Sequence, residues 1–93
     1  MSFIQIVEFE TDRPDEMADL LSETGPEQSF TRLALAQDRD NPRHHYMIVE
    51  FPSYDEAMAN SARPETDAIA RQMSELATMG PIYHNLEVEL QQP

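Results

Sequence analysis

Three observations predict an α+β domain of the ferredoxin-like type, with a four-stranded antiparallel sheet. The periodicity of apolar residues changes along the chain in the order strand, helix, strand, strand, helix, strand, the split β-α-β arrangement. Two of those strands, residues 2–10 and 46–51, carry apolar side chains at both parities, as strands covered on both faces do. Finally, 93 residues suffice for one domain, so residues 1–93 are read as a single unit.

The first strand is rich in β-branched and aromatic residues: Phe3, Ile4, Ile6, Val7 and Phe9, with Gln5 and Glu8 its polar exceptions. Thr11-Asp12-Arg13-Pro14-Asp15-Glu16 then reads as a helix start. Thr11 or Asp12 caps, Pro14 suits the first turn, and the acidic pair complements the positive end of the dipole. Met17, Leu20 and Leu21 share one face of this helix, and Gly25-Pro26 is its expected stop.

From Phe30 to Gln37 the period becomes two, with Leu33 and Leu35 on one face and Arg32, Ala34 and Ala36 on the other. The polar turn 38–43 leads into the strand Tyr46–Phe51. Pro52 ends it, and Ser53-Tyr54-Asp55-Glu56 fits a capping box. Arg63-Pro64 predicts a kink, or a second helix starting near Pro64, in which Ile69, Met73, Leu76 and Ala77 form an apolar stripe. Gly80-Pro81 is the expected end of that helix. A last strand places Ile82, His84, Leu86 and Val88 in a buried phase against Tyr83, Asn85, Glu87 and Glu89.

Composition narrows the function classes. With 18 acidic and 6 basic residues the chain carries a net charge of −12, which predicts no nucleic-acid partner and no membrane surface. Cysteine is absent, which rules out disulfides and thiolate metal sites. No apolar run has the form of a signal peptide or approaches the ~20 residues of a span, so cytoplasm is the expected compartment. His44-His45 with Asp38 and Asp40 has the look of a metal cluster. Adjacent strand residues point to opposite faces, however, so the two histidines cannot share one ion there.

Three stretches carry a family resemblance: Phe3-Ile4-Gln5-Ile6-Val7-Glu8-Phe9, Val49-Glu50-Phe51-Pro52-Ser53-Tyr54-Asp55-Glu56-Ala57 and Pro81-Ile82-Tyr83-His84-Asn85-Leu86-Glu87-Val88. On these the chain resembles the dimeric α+β barrel superfamily, in particular its antibiotic biosynthesis monooxygenase-like group and small uncharacterised bacterial members. The resemblance implies a homodimer with two sheets face to face, and a cavity between sheet and helices. Members include cofactor-independent monooxygenases, haem-degrading enzymes and proteins with no known activity. Gln5 stands where haem-degrading members resemble one another in an asparagine. The tryptophan and helical histidine of those members have no counterpart, since the chain lacks tryptophan and has no histidine between Ser53 and Met79. No cofactor is therefore expected.

Gln5, Arg32, Tyr46, Tyr83 and His84 are the residues expected to line the cavity. His84 suits general acid or base work by its ordinary pKa of ~6.5, and Arg32, among alanines, suits a carboxylate or enolate. Glu8, Glu50 and Glu87 lie on strands expected to be neighbours, where paired carboxylates can divide acid and base roles only if their environments differ. The residues themselves name no reaction. The reading is a homodimeric binder of a small aromatic ligand; the alternative is a cofactor-independent monooxygenase whose aromatic or polyketide-like substrate supplies the electrons to oxygen.

Overall fold

Strict alternation along β1 (Phe3–Thr11) sets up the architecture. The computed structural model describes residues 2–22 and 30–92, and the expected stop at Gly25-Pro26 lies outside them. Phe3, Val7, Phe9 and Thr11 are buried on one side of β1, while Ile4, Ile6, Glu8 and Glu10 stand on the other. The further elements are α1 (Pro14–Ser22), β2 (Arg32–Gln37), β3 (His44–Phe51), α2 (Tyr54–Ser61), α3 (Pro64–Leu76) and β4 (Ala77–Glu87). They form one antiparallel sheet in the order β2-β3-β1-β4, with the helices on one face. The strands predicted to be central, β1 and β3, are central. This is the ferredoxin-like fold.

Register carries the alternation across the sheet. Phe3 faces Phe51, Val7 faces Met47 and Phe9 faces His45, so odd-numbered residues of β1 and β3 share the helix side. Two apolar clusters fill the space there. Val7, Phe9, Met17, Leu20, Leu21 and Met73 form one; Phe3, Val49, Phe51 and Ala57 form the other, with Met47 packed against both. Each fully buried Phe, Val, Leu or Met side chain contributes about 1.5–3 kcal/mol.

The proline at position 64 does divide the long helical segment in two. Ser53 caps α2, its hydroxyl accepting from the Glu56 amide at 3.2 Å. Thr11 joins two other ends. Its hydroxyl donates to the Leu76 carbonyl at 2.7 Å, satisfying one exposed carbonyl at the end of α3, and accepts from the Arg13 amide at 3.0 Å.

Gly80-Pro81 differs from expectation. It does not end a helix; α3 stops at Leu76, and β4 already runs from Ala77 through both residues. Gly80 has φ +85°, at a point where the β1–β4 register shifts, and β4 is an edge strand that tolerates a proline. A Cβ at Gly80 would lie 2.6 Å from the Glu8 carbonyl oxygen. Gly80→Ala is therefore expected to destabilise the chain by about 1–3 kcal/mol. Melting should then fall by at least ~4 °C, and an unchanged melting temperature would contradict the tight approach of β4 to β1.

Candidate functional site

Between the sheet and the helices the two core clusters leave a cavity of about 100 Å³, partly open to solvent. Its wall is mostly apolar, with Val7, Leu33, Met47, Val49, Ile69 and Met73 among the lining residues. Four polar residues also line it. Gln5 comes from β1 and donates through Nε2 to Asn85 Oδ1 at 3.1 Å; Tyr83 comes from β4, Asn60 from α2 and Thr66 from α3. Asn60 Oδ1 and Thr66 Oγ1 are buried with no hydrogen-bond partner. A buried polar atom without a partner is costly, by about 1–3 kcal/mol. Burial pushes the Tyr83 phenol above its ordinary pKa, so at neutral pH it keeps its proton and serves as a donor.

The sheet's other face carries a different chemistry. Glu8 pairs across with Tyr46 and Ile82, which puts His44 and His84 on its two diagonals. His84 Nε2 donates to Glu8 Oε1 at 3.0 Å, and His44 Nε2 donates to Glu8 Oε2 at 2.7 Å. The other ring nitrogen of His44, Nδ1, lies 3.1 Å from Glu10 Oε2. Ionised carboxylates only accept, so both nitrogens of His44 must carry protons, and this arrangement holds it as imidazolium. The hydrogen bond to Glu10 is the main cause of a raised His44 pKa, with Glu8 adding to it against partial desolvation. Hydrogen bonds from His84 and then His44 hold Glu8 below the usual carboxylate range. Tyr46 sits with its ring 5.1 Å from that of His44, its pKa raised by burial and then by Glu8 and Asp38.

The five residues expected around one cavity therefore fall into two groups. Gln5 and Tyr83 line the space under the helices. Arg32, Tyr46 and His84 lie on the opposite face, because they share the parity of Glu50, Glu8 and Ile6 across the register. The phase read as buried in β4 is instead the open one. Ile82 and Leu86 are each 44% exposed and the His84 side chain is 47% exposed; Tyr83, on the helix side, is exposed as well, because β4 is an edge strand that the helices cover only in part.

Arg32 is 3.4 Å from Glu50, which also accepts from Gln91 at 3.2 Å. Glu8, Glu50 and Glu87 do not gather: Glu50 pairs with Ile4, and Glu87 pairs with Phe3 on the other parity. His45 does point away from His44, buried and stacked on Phe9 at 5.5 Å. Among the described residues, no group of three or more histidines and carboxylates is arranged to hold a metal ion, and no helix is long and apolar enough to cross a membrane.

Asn60 and Thr66 are cavity residues that sequence reasoning missed. The signal was present. Asn60 is three residues after the buried Ala57, and Thr66 is three before Ile69, so each is a polar residue within an apolar helical stripe.

No protein-family model matches the chain, and no curated protein matches its sequence. Solved structures match it over nearly its full length. SnoaB, a cofactor-independent oxygenase from Streptomyces nogalater, superposes with a TM-score of 0.84 at 18% identity, over 99% of this chain and 97% of that one. A provisionally assigned antibiotic biosynthesis monooxygenase from Chloroflexus aurantiacus J-10-fl gives 0.80 at 14% identity, over 100% and 98%. Rv0793 from Mycobacterium tuberculosis gives 0.78 at 16% identity, over the whole of both chains. The likeness is one of fold, and it is the fold that the family resemblance implied.

The cluster's pH behaviour follows from its two shifted groups. The raised pKa of His44 makes a contribution fully present below its ordinary value and lost as pH rises through the raised one. The lowered pKa of Glu8 makes one present above the ordinary carboxylate value and lost as pH falls through the lowered one. The cluster thus stabilises most in the mildly acidic range between the two ordinary values, 4.5 for the carboxylate and 6.5 for the imidazole. Glu10→Gln removes the largest cause of the His44 shift, and NMR titration should show the His44 pKa falling towards the ordinary imidazole value. No change on that substitution would remove Glu10 from the cluster.

Proposed function

We propose that the chain is a homodimeric small-molecule-binding protein whose ligand occupies the cavity between sheet and helices. The observation that carries this reading is the pair of buried, unpartnered acceptors, Asn60 Oδ1 and Thr66 Oγ1, in a cavity that is otherwise apolar. A flat aromatic group with one or two hydroxyls would satisfy these atoms and fill the apolar wall. Gln5 and Tyr83 would fix its orientation. The cavity's partial opening leaves room for a longer ligand to extend outward.

The second copy belongs to the open face. Ile4, Ile6, Ile48, Ile82 and Leu86 form its apolar centre. Four strands about 4.8 Å apart and eight residues long at about 3.3 Å each cover about 500 Å². Two such faces together remove about 1,000 Å² from water, the lower bound for a specific interface. Light scattering at micromolar concentration should give twice the 10.7 kDa chain mass. A clean monomer at every accessible concentration would refute the face-to-face pairing.

The fold shared with SnoaB favours a second reading, oxygenation without a cofactor. An activated methylene of the ligand would lose both hydrogens and gain one atom of O₂ as a carbonyl oxygen. The other oxygen would leave as water, four electrons passing from carbon to oxygen, so no external reductant enters. Among the described lining residues, however, there is no carboxylate or imidazole to take the first proton. Binding is therefore the primary reading.

Dithranol, an anthrone with one reactive methylene, tests both. At ~100-fold excess over its dissociation constant a ligand adds about 2.7 kcal/mol, which should raise the melting temperature by ~10 °C or more. Ala70→Leu, which extends a lining residue into the cavity, should abolish the shift while the variant stays folded. Dithranol and related hydroxylated aromatics leaving the wild type unmoved would overturn the binding site. Oxygen uptake above the spontaneous rate, one O₂ per quinone formed, would establish the second reading.

A further inference from the structure

Around His44 the open face carries a polar island in an apolar surface, and it is built around a proton. His44 can donate to both Glu8 and Glu10 only as imidazolium. When that proton is lost, one ring nitrogen faces a carboxylate lone pair to lone pair, and two carboxylates remain with one fewer positive partner. On a face open to water, solvent can move in and hydrate the mismatched groups. On a covered face it cannot, and an uncompensated charge is then strongly unfavourable.

We infer that self-association through the open face is proton-linked: the dimer holds His44 as imidazolium and loosens when that proton leaves. The inference rests on the homodimer proposed above and adds its regulation. The groups that face His44 are consistent with it as the switching residue. From β1 come Glu8 and Glu10, and from β4 comes His84, bonded to the other oxygen of Glu8. From β3 itself comes Tyr46, whose phenol keeps its proton across the neutral range because burial and Glu8 push its pKa up. β2 places Ala36 opposite Tyr46, and its one charged residue on this face, Arg32, is paired with Glu50 near the other end of the strand pair. Asp38, in the turn that follows β2, donates its backbone amide to the His44 carbonyl, and its carboxylate accepts from the Asp40 amide at 2.8 Å. Arg43, next in sequence, is engaged by Asp12 at 3.1 Å.

Covering the face should raise the His44 pKa further, so the dimer takes up protons as it forms and is tightest at the acid end of the neutral range. The carboxylates of an ordinary acidic surface are already ionised above pH 6, so their titration cannot imitate this dependence.

Sedimentation equilibrium of the full chain between pH 6.5 and 9.5, at 0.15 M and 0.5 M NaCl, tests the inference. The dissociation constant should rise at least ~10-fold across that range at both salt concentrations. His44→Gln should flatten the dependence, with circular dichroism confirming that the variant is folded. Should that variant not fold, Glu10→Gln decides: its midpoint should move to lower pH, and an unmoved midpoint overturns the inference. A dimer whose dissociation constant is the same at every pH overturns the proton linkage and leaves the dimer standing. So does a pH dependence that survives unchanged in folded His44→Gln. A monomer throughout overturns the dimer and the linkage with it.

Discussion

The alternation of β1 is the constraint on which the rest of the molecule depends. Phe3, Val7, Phe9 and Thr11 must lie under the helices because no other side of the chain offers them a dry surface. That commitment puts Ile4, Ile6, Glu8 and Glu10 on the open face without further choice. A slip of one residue would exchange the two sets, driving two glutamates into the core and three large apolar side chains out of it. The register is therefore over-determined, and the one odd-numbered polar exception within the strand's core run, Gln5, falls where the core leaves a cavity.

Thr11 extends the same logic to the chain's ends. It is 2% exposed, so its hydroxyl needs partners, and it finds them in the last turn of α3 and the first residues before α1. This joint helps explain why α3 stops at Leu76 rather than at the glycine four residues later. Once the Leu76 carbonyl is held by Thr11, Ala77 turns into extended geometry and pairs with Thr11 across the β1–β4 ladder. Gly80 then serves a close approach of two strands instead of a helix end.

Most of the fold was legible because its signals are local or periodic. The two-sided apolar strands, the Ser53 cap and the proline break at position 64 each depend on a few neighbouring residues. The end of α3 was not legible, because it is decided by a hydroxyl 65 positions away. The site was legible only in part for a related reason. Period-two alternation says which residues share a face, and it correctly separates His44 from His45. It does not say which face the helices choose, and β4 alone, with apolar residues in one phase, leaves that choice open. The pairing of Glu8 with His44 and His84 needed the register of three strands at once, which no single segment contains.

One sheet thus separates two chemistries that a catalyst would normally combine. The cavity side offers shape, apolar surface and uncharged donors and acceptors, with Tyr83 kept neutral by its raised pKa. The open side offers two imidazoles and two carboxylates, and these are already bonded to one another. Side chains of opposite parity leave the backbone in opposite directions, so Glu8 cannot reach a ligand that touches Val7 and Tyr83. Any oxidation in the cavity would therefore have to begin with a ligand acidic enough to ionise by itself or to pass its proton to water. An anthrone-like methylene flanked by aromatic rings meets that demand, whereas an unactivated carbon does not. A ligand's own acidity, more than any side chain, would decide whether this cavity could also serve as a reaction vessel.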